Sequence, residues 1–146
     1  MKTFGFLTCA ASLVLVLTAQ AGDDAAQKKD KAALQGMWKV ISLENAQGKD
    51  AGAEGAMIEF DKDGKTMTYT QQGNTKKGTY TLNPAANPKE IDIKAIDENK
   101  TFEAIYKVEK DSLKLCLAAE PGDGRPSEFA TKEGKSYVLV TMERAK

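Results

Sequence analysis

Residues 100–118 read KTFEAIYKVEKDSLKLCLA, and the fold follows from how they alternate. Phe102, Ala104, Tyr106 and Val108 fall on one side of an extended chain, and Thr101, Glu103 and Lys107 on the other. After Lys110-Asp111 the alternation resumes, with Leu113, Leu115 and Leu117 opposite Lys114 and Cys116. A period of two with one apolar side marks a strand with one face buried and one wet. A break as short as Lys110-Asp111 joins only antiparallel neighbours. The stretch is therefore a β-hairpin.

The same pattern extends in both directions. Ile91 and Ile93 oppose Asp92 and Lys94, and Tyr80 and Leu82 oppose Thr79 and Thr81. Asp63-Gly64 and Gly73-Asn74 are further tight-turn signals. Eight strands are predicted, near 36–45, 56–61, 65–72, 75–83, 89–97, 100–109, 112–119 and 136–145. Short links make a meander. An eight-stranded meander removes its free edges by closing into an antiparallel up-and-down barrel. The expected fold class is therefore all-β, with a short N-terminal helix over 22–35 that ends at Gly36. The barrel domain is expected over 36–146. In such a barrel alternate loops share an end, so the long loops 46–55 and 120–135 should lie together as a mouth.

The first 21 residues stand apart. Lys2 precedes an uncharged apolar run from Phe4 to Leu17, and Ala19-Gln20-Ala21 supplies a small-x-small cleavage pattern. This is the arrangement of a secretory signal peptide, so an exported protein is expected, periplasmic or secreted. The run is shorter than the ~20 residues of a membrane span, so no membrane anchor is expected.

Composition narrows the chemistry. Lys plus Arg number 21 and Asp plus Glu number 21, with no basic stripe, which argues against nucleic acid as a partner. The chain has no histidine, which excludes Ser-His-Asp and Cys-His catalysis and His-ligated zinc. Cys116 alone remains beyond the leader and has one basic neighbour on its face, Lys114, so it reads as a small packed residue. Asp61-Lys62-Asp63-Gly64 has its glycine out of register for a calcium loop and reads as a turn. Glu120, Asp123 and Glu128 lie in a loop punctuated by Pro and Gly, where nothing sets the separation that acid–base catalysis needs. No cofactor or metal is called for.

Gly36-Met37-Trp38 at the first strand, with Arg144 at the end of the last, resembles the Gly-x-Trp and terminal Arg arrangement of lipocalins. In a closed meander these strands are neighbours, so Trp38 and Arg144 should stack and close the barrel. Over nearly the whole chain beyond the leader, LQGMWKVISLE, KKGTYTLNP, KEIDIK, IYKVEKDSLKLCLA and RPSEF together resemble a lipocalin-like family of uncharacterised exported planctomycete proteins. That resemblance implies the fold and leaves the activity open. The chain is shorter than lipocalins proper and shows no helix after the last strand, which argues against a cavity of lipocalin size.

Two roles fit. The first is a non-enzymatic binding module for a small, largely apolar ligand, oriented by Tyr69, Tyr80, Phe102 and Tyr106. The second is a filled barrel acting as a structural or protein-interaction domain of the cell envelope. The 120–135 loop is expected as the rim, with Arg125 pairing to Glu128 across Pro126 and Phe129 tucked in as an anchor.

Overall fold

The structure is a computed structural model that describes residues 18–146. Of the expected leader, residues 1–17 lie outside the described residues. Helix α1 (Thr18–Leu34) precedes nine strands: β1 (Gly36–Asn45), β2 (Gly48–Lys49), β3 (Met57–Phe60), β4 (Thr66–Gln71), β5 (Asn74–Asn83), β6 (Glu90–Ala95), β7 (Lys100–Val108), β8 (Ser112–Ala118) and β9 (Tyr137–Arg144). Each strand pairs antiparallel with the next, except that the two-residue β2 is a flap on β1 and β1 also pairs with β3. Pairing of β1 with β9 closes an eight-stranded up-and-down barrel. The predicted fold class and strand order hold.

Turn chemistry sets the register. At the β4–β5 hairpin Gln71 pairs with Asn74, so the turn is Gln72-Gly73, one residue earlier than the sequence signal suggested. Both residues have positive φ, 49° and 80°, the conformation that matches strand twist in a two-residue hairpin. Asp63 closes the β3–β4 turn by accepting from the Lys65 and Thr66 amides at 2.7 and 2.8 Å. The Asp61–Gly64 stretch is thus a turn, as read.

The β1–β9 seam carries one irregularity. Val40 pairs with Met142 and Ser42 with Thr141, so Ile41 is an extra, exposed residue. The bulge lets both Val40 and Leu43 point inward although an odd number of bonds separates them.

The interior has two storeys. The lower one is filled by Trp38, Phe60, Tyr80, Ile91, Tyr106, Leu113 and Met142, all buried. Complete burial of one such side chain contributes roughly 1.5–3 kcal/mol. Phe60 and Tyr80 meet edge to face with ring centroids 5.1 Å apart. The helix closes this end from below. Leu34 is buried in the core, Gln27 Nε2 donates to the Leu82 carbonyl at 3.2 Å, and buried Asp30 meets two barrel side chains. Tyr106 Oη donates to Asp30 Oδ2 at 2.6 Å and Lys89 Nζ at 2.8 Å. The helix expected over 22–35, which begins at Thr18, is therefore a plug. Its apolar face is weak because much of its attachment is polar.

Gly36, at φ 106°, ends the helix and turns the chain into β1. Trp38 Nε1 donates to the Leu34 carbonyl at 2.7 Å. Arg144 stacks on Trp38 at 4.2 Å and donates to the Ala33 and Gln35 carbonyls at 2.8 and 2.9 Å. The predicted closure by Trp38 and Arg144 is present and also caps α1.

Candidate functional site

The upper storey is open. A cavity of about 330 Å³ enters between the 46–55, 96–99 and β4–β5 connections, the end expected as the mouth. Its wall is apolar, with Val40, Ile58, Met67, Phe102, Leu115 and Val138 among the side chains lining it.

The void has a local cause. Gly78 on β5 faces Ala95 on β6 in register, so two adjacent inward positions carry almost no side chain. Gly78 cannot be enlarged freely, because a Cβ there would lie 2.8 Å from the Lys94 carbonyl oxygen. Below this pair, Tyr80 opposite Ile93 begins the floor. Above it, Lys76 on β5 pairs with Tyr69 on β4 at the lip.

Polar groups gather at that lip. Lys76 Nζ lies 2.9 Å from Glu98 Oε1, which reaches across from the β6–β7 turn. The pair raises the Lys76 pKa and lowers that of Glu98, through their hydrogen bond and opposite charge. Tyr69 Oη donates to Gln71 Oε1 at 2.7 Å, and Gln71 Nε2 donates to the Gly52 carbonyl. This ties the wall to the turn Ala51–Ala53, which Asp50 caps by accepting from the Gly52 amide at 2.9 Å. Burial, then the Asp50 charge, pushes the Tyr69 hydroxyl pKa up.

The predicted site residues divide. Tyr69 and Phe102 line the cavity. Tyr80 and Tyr106 lie in the filled storey, Tyr106 bonded to Asp30 and Tyr80 packed on Phe60. They belong to the core, because inward-facing tyrosines at different heights of a barrel do not share one space. The Tyr80 hydroxyl is buried without a partner among the described residues.

The rim loop also differs from expectation. It leaves β8 at the mouth but folds down the outside of the barrel. Arg125 turns away from Glu128. Its Nη2 lies 2.6 Å from Asp92 Oδ1, and its Nη1 donates to the Ala104 and Ile91 carbonyls at 2.7 and 3.3 Å. Glu90 and Glu103 stand near the same guanidinium, at 3.7 and 4.0 Å. Three outward carboxylates on β6 and β7 outcompete the single, exposed Glu128. Pro126, not the half-buried Phe129, is the buried anchor. Beneath the loop Cys116 is fully buried, its Sγ 3.6 Å from the Ala130 carbonyl, and burial raises its pKa. The cysteine is a packed residue under this loop.

Lys76, Gly78, Ala95 and Glu98 were not singled out from the sequence. The alternation of Tyr80 and Leu82, continued back along β5, places Gly78 and Lys76 on the same inward face. Comparison of the chain with family models, curated proteins and solved structures finds no match.

Proposed function

We propose that the protein is an exported, non-enzymatic binding module that takes one small, largely apolar ligand into the upper storey of its barrel. The observation that carries this reading is the open apolar cavity of about 330 Å³. Ligand pockets usually start at about 300 Å³ and are apolar with a few placed polar groups. The alternative, a filled barrel serving as an interaction domain of the envelope, expects no such space. Export is supported by Lys2, the apolar run Phe4–Leu17 and Ala19-Gln20-Ala21. A lipocalin-like relationship is supported by Trp38 stacked under Arg144 at the closure. The reading needs no cofactor.

Titration with the neutral fluorescent reporter N-phenyl-1-naphthylamine tests it. The reading expects saturable binding at one site, lost in Ala95→Phe, whose ring fills the void, with the unfolding midpoint retained. A wild-type protein that leaves the reporter unbound overturns it. Native mass spectrometry of protein purified from its own host would identify a retained ligand directly.

A further inference from the structure

The binding reading leaves the chemical class of ligand open, and the lip of the cavity narrows it. Among the described residues, three charged ones line the cavity: Lys76, Lys77 and Glu98. Lys77 follows the outward alternation of β5, whereas Lys76 shares the inward face of Gly78, Tyr80 and Leu82. Lys76 is thus the charge that the sheet itself directs to the cavity. Its partner is mounted differently. Glu98 sits in the turn between β6 and β7, whereas Lys76 is mounted on a strand; both side chains are exposed at the lip. Asp97 in the same turn and Asp50 across the mouth also act on this region, the first on Lys76 and the second on Tyr69.

We infer that the ligand is a medium-chain amphiphile with a single carboxylate, its apolar body in the cavity and its carboxylate on Lys76. This inference rests on the binding reading proposed above. The cavity takes in about ten methylene-sized groups and is open at the lip, so a larger molecule projects from it. The polar end of such a ligand therefore comes to the lip. An exposed ion pair such as Lys76–Glu98 is weak and exchanges readily. An incoming carboxylate takes the place of Glu98, which swings into solvent on its turn, and Lys76 stays paired. The apolar body of the ligand, held in the cavity, keeps its carboxylate beside Lys76, an advantage of tethering that a free anion lacks. An incoming ammonium has the opposite result. It would have to take Glu98 from Lys76 and would leave two like charges at one lip. The Tyr69 hydroxyl is already committed to Gln71 and does not compete for the anion.

The test displaces N-phenyl-1-naphthylamine from the purified protein at neutral pH with decanoate, 1-decanol and decylamine, which share one chain length. Decanoate should displace the reporter at a concentration about tenfold lower than decanol, with decylamine weakest. Lys76→Met should bring decanoate to within about twofold of decanol, and an unfolding midpoint equal to wild type shows that the variant folds. Glu98→Gln, by freeing Lys76, should strengthen decanoate alone. Equal displacement by decanoate and decanol overturns the inference while the binding reading stands, as does a decanoate advantage that survives Lys76→Met. Tightest binding of decylamine overturns it in favour of a cationic ligand. Failure of the reporter itself to bind overturns both.

Discussion

The guanidinium of Arg144 lies 4.2 Å from the Trp38 ring and binds two carbonyls at the end of α1, so one side chain joins the first strand, the last strand and the plug. Arg144→Ala removes a stacking contact and three charge-assisted hydrogen bonds together, the third from Nε to the Lys110 carbonyl at 3.2 Å. The expected loss is about 2–4 kcal/mol of unfolding free energy. Urea denaturation followed by the fluorescence of Trp38, the single tryptophan, measures it. Arg144→Lys should recover less than half, since an ammonium lacks the flat fork. A loss near zero would show that the helix is held by other means.

Asp30 is 4 % exposed and depends on Tyr106 and Lys89 for its partners. Tyr106→Phe leaves the carboxylate one donor short and should cost about 1–3 kcal/mol. The double variant Asp30→Leu with Tyr106→Phe should cost less than the sum of the singles, because no buried polar group is stranded. Additive losses in the double-mutant cycle would contradict the coupling.

Stability should be level through neutral pH and fall in alkali. No histidine titrates in the chain. Burial, then the hydrogen bond and charge of Asp30, pushes the Tyr106 hydroxyl far above its ordinary 10.0. Burial, then the charges of Asp63 and Asp61, raises Tyr80. Burial raises the Cys116 thiol above its ordinary 9.0. The folded state therefore holds these protons when the unfolded chain has released them. The stability they carry is complete below the unfolded values and declines as pH rises past them, by about 1.4 kcal/mol per pH unit for each group. Asp63 and Asp123 act in the other direction. Hydrogen bonds lower their pKa values, so their contribution is present above the ordinary 3.8 and is lost as pH falls through the lowered values. Urea titrations across the alkaline range, with Tyr106→Phe as control, should show the variant losing less per pH unit than wild type.

Gly78 matters for space rather than for its φ. An added methyl would meet the Lys94 carbonyl at 2.8 Å, and the β5–β6 pair would have to part. Gly78→Ala should destabilise the fold by about 1–3 kcal/mol, whereas Ala95→Val, which only projects into the void, should be near neutral. Thermal melts of the two variants separate these outcomes, and equal melting temperatures would contradict them.

Arg125 holds the 119–136 loop against the barrel wall, and Cys116 lies beneath that loop. With the chain's other cysteine removed as Cys9→Ser, Arg125→Ala should speed modification of Cys116 by a thiol-reactive disulfide reagent by roughly tenfold or more, as local opening becomes easier. A rate unchanged from the parent would mean that Pro126 alone keeps the loop closed.

The barrel was legible because most positions of its strands alternate between an apolar and a polar side, although Ile105 and Cys116, paired on the outer face, break the pattern and are buried. Trp38 and Arg144 were legible because closure makes the two terminal strands neighbours. The plug was harder to read, since Gln27 and Asp30 attach it by polar contacts that hydrophobic periodicity does not register. The cavity was hidden for a related reason. Gly78 and Ala95 make it by what they lack, and an alternation of large side chains shows where a core is full, not where it is empty. Arg125 was assigned the wrong partner because Glu128 is three residues away, while Asp92 comes close only in the folded barrel.

The two storeys also bear on how this protein can change over generations. Residues that hold the plug and the closure together, such as Trp38, Asp30, Tyr106 and Arg144, cluster at one end. Side chains such as Ala95, Leu117 and Val138 line the other. Mutations at the open end can alter what fits without spending the stability held at the closed one. Such a scaffold can diversify its preferences by single steps, each viable, while its architecture stays the same.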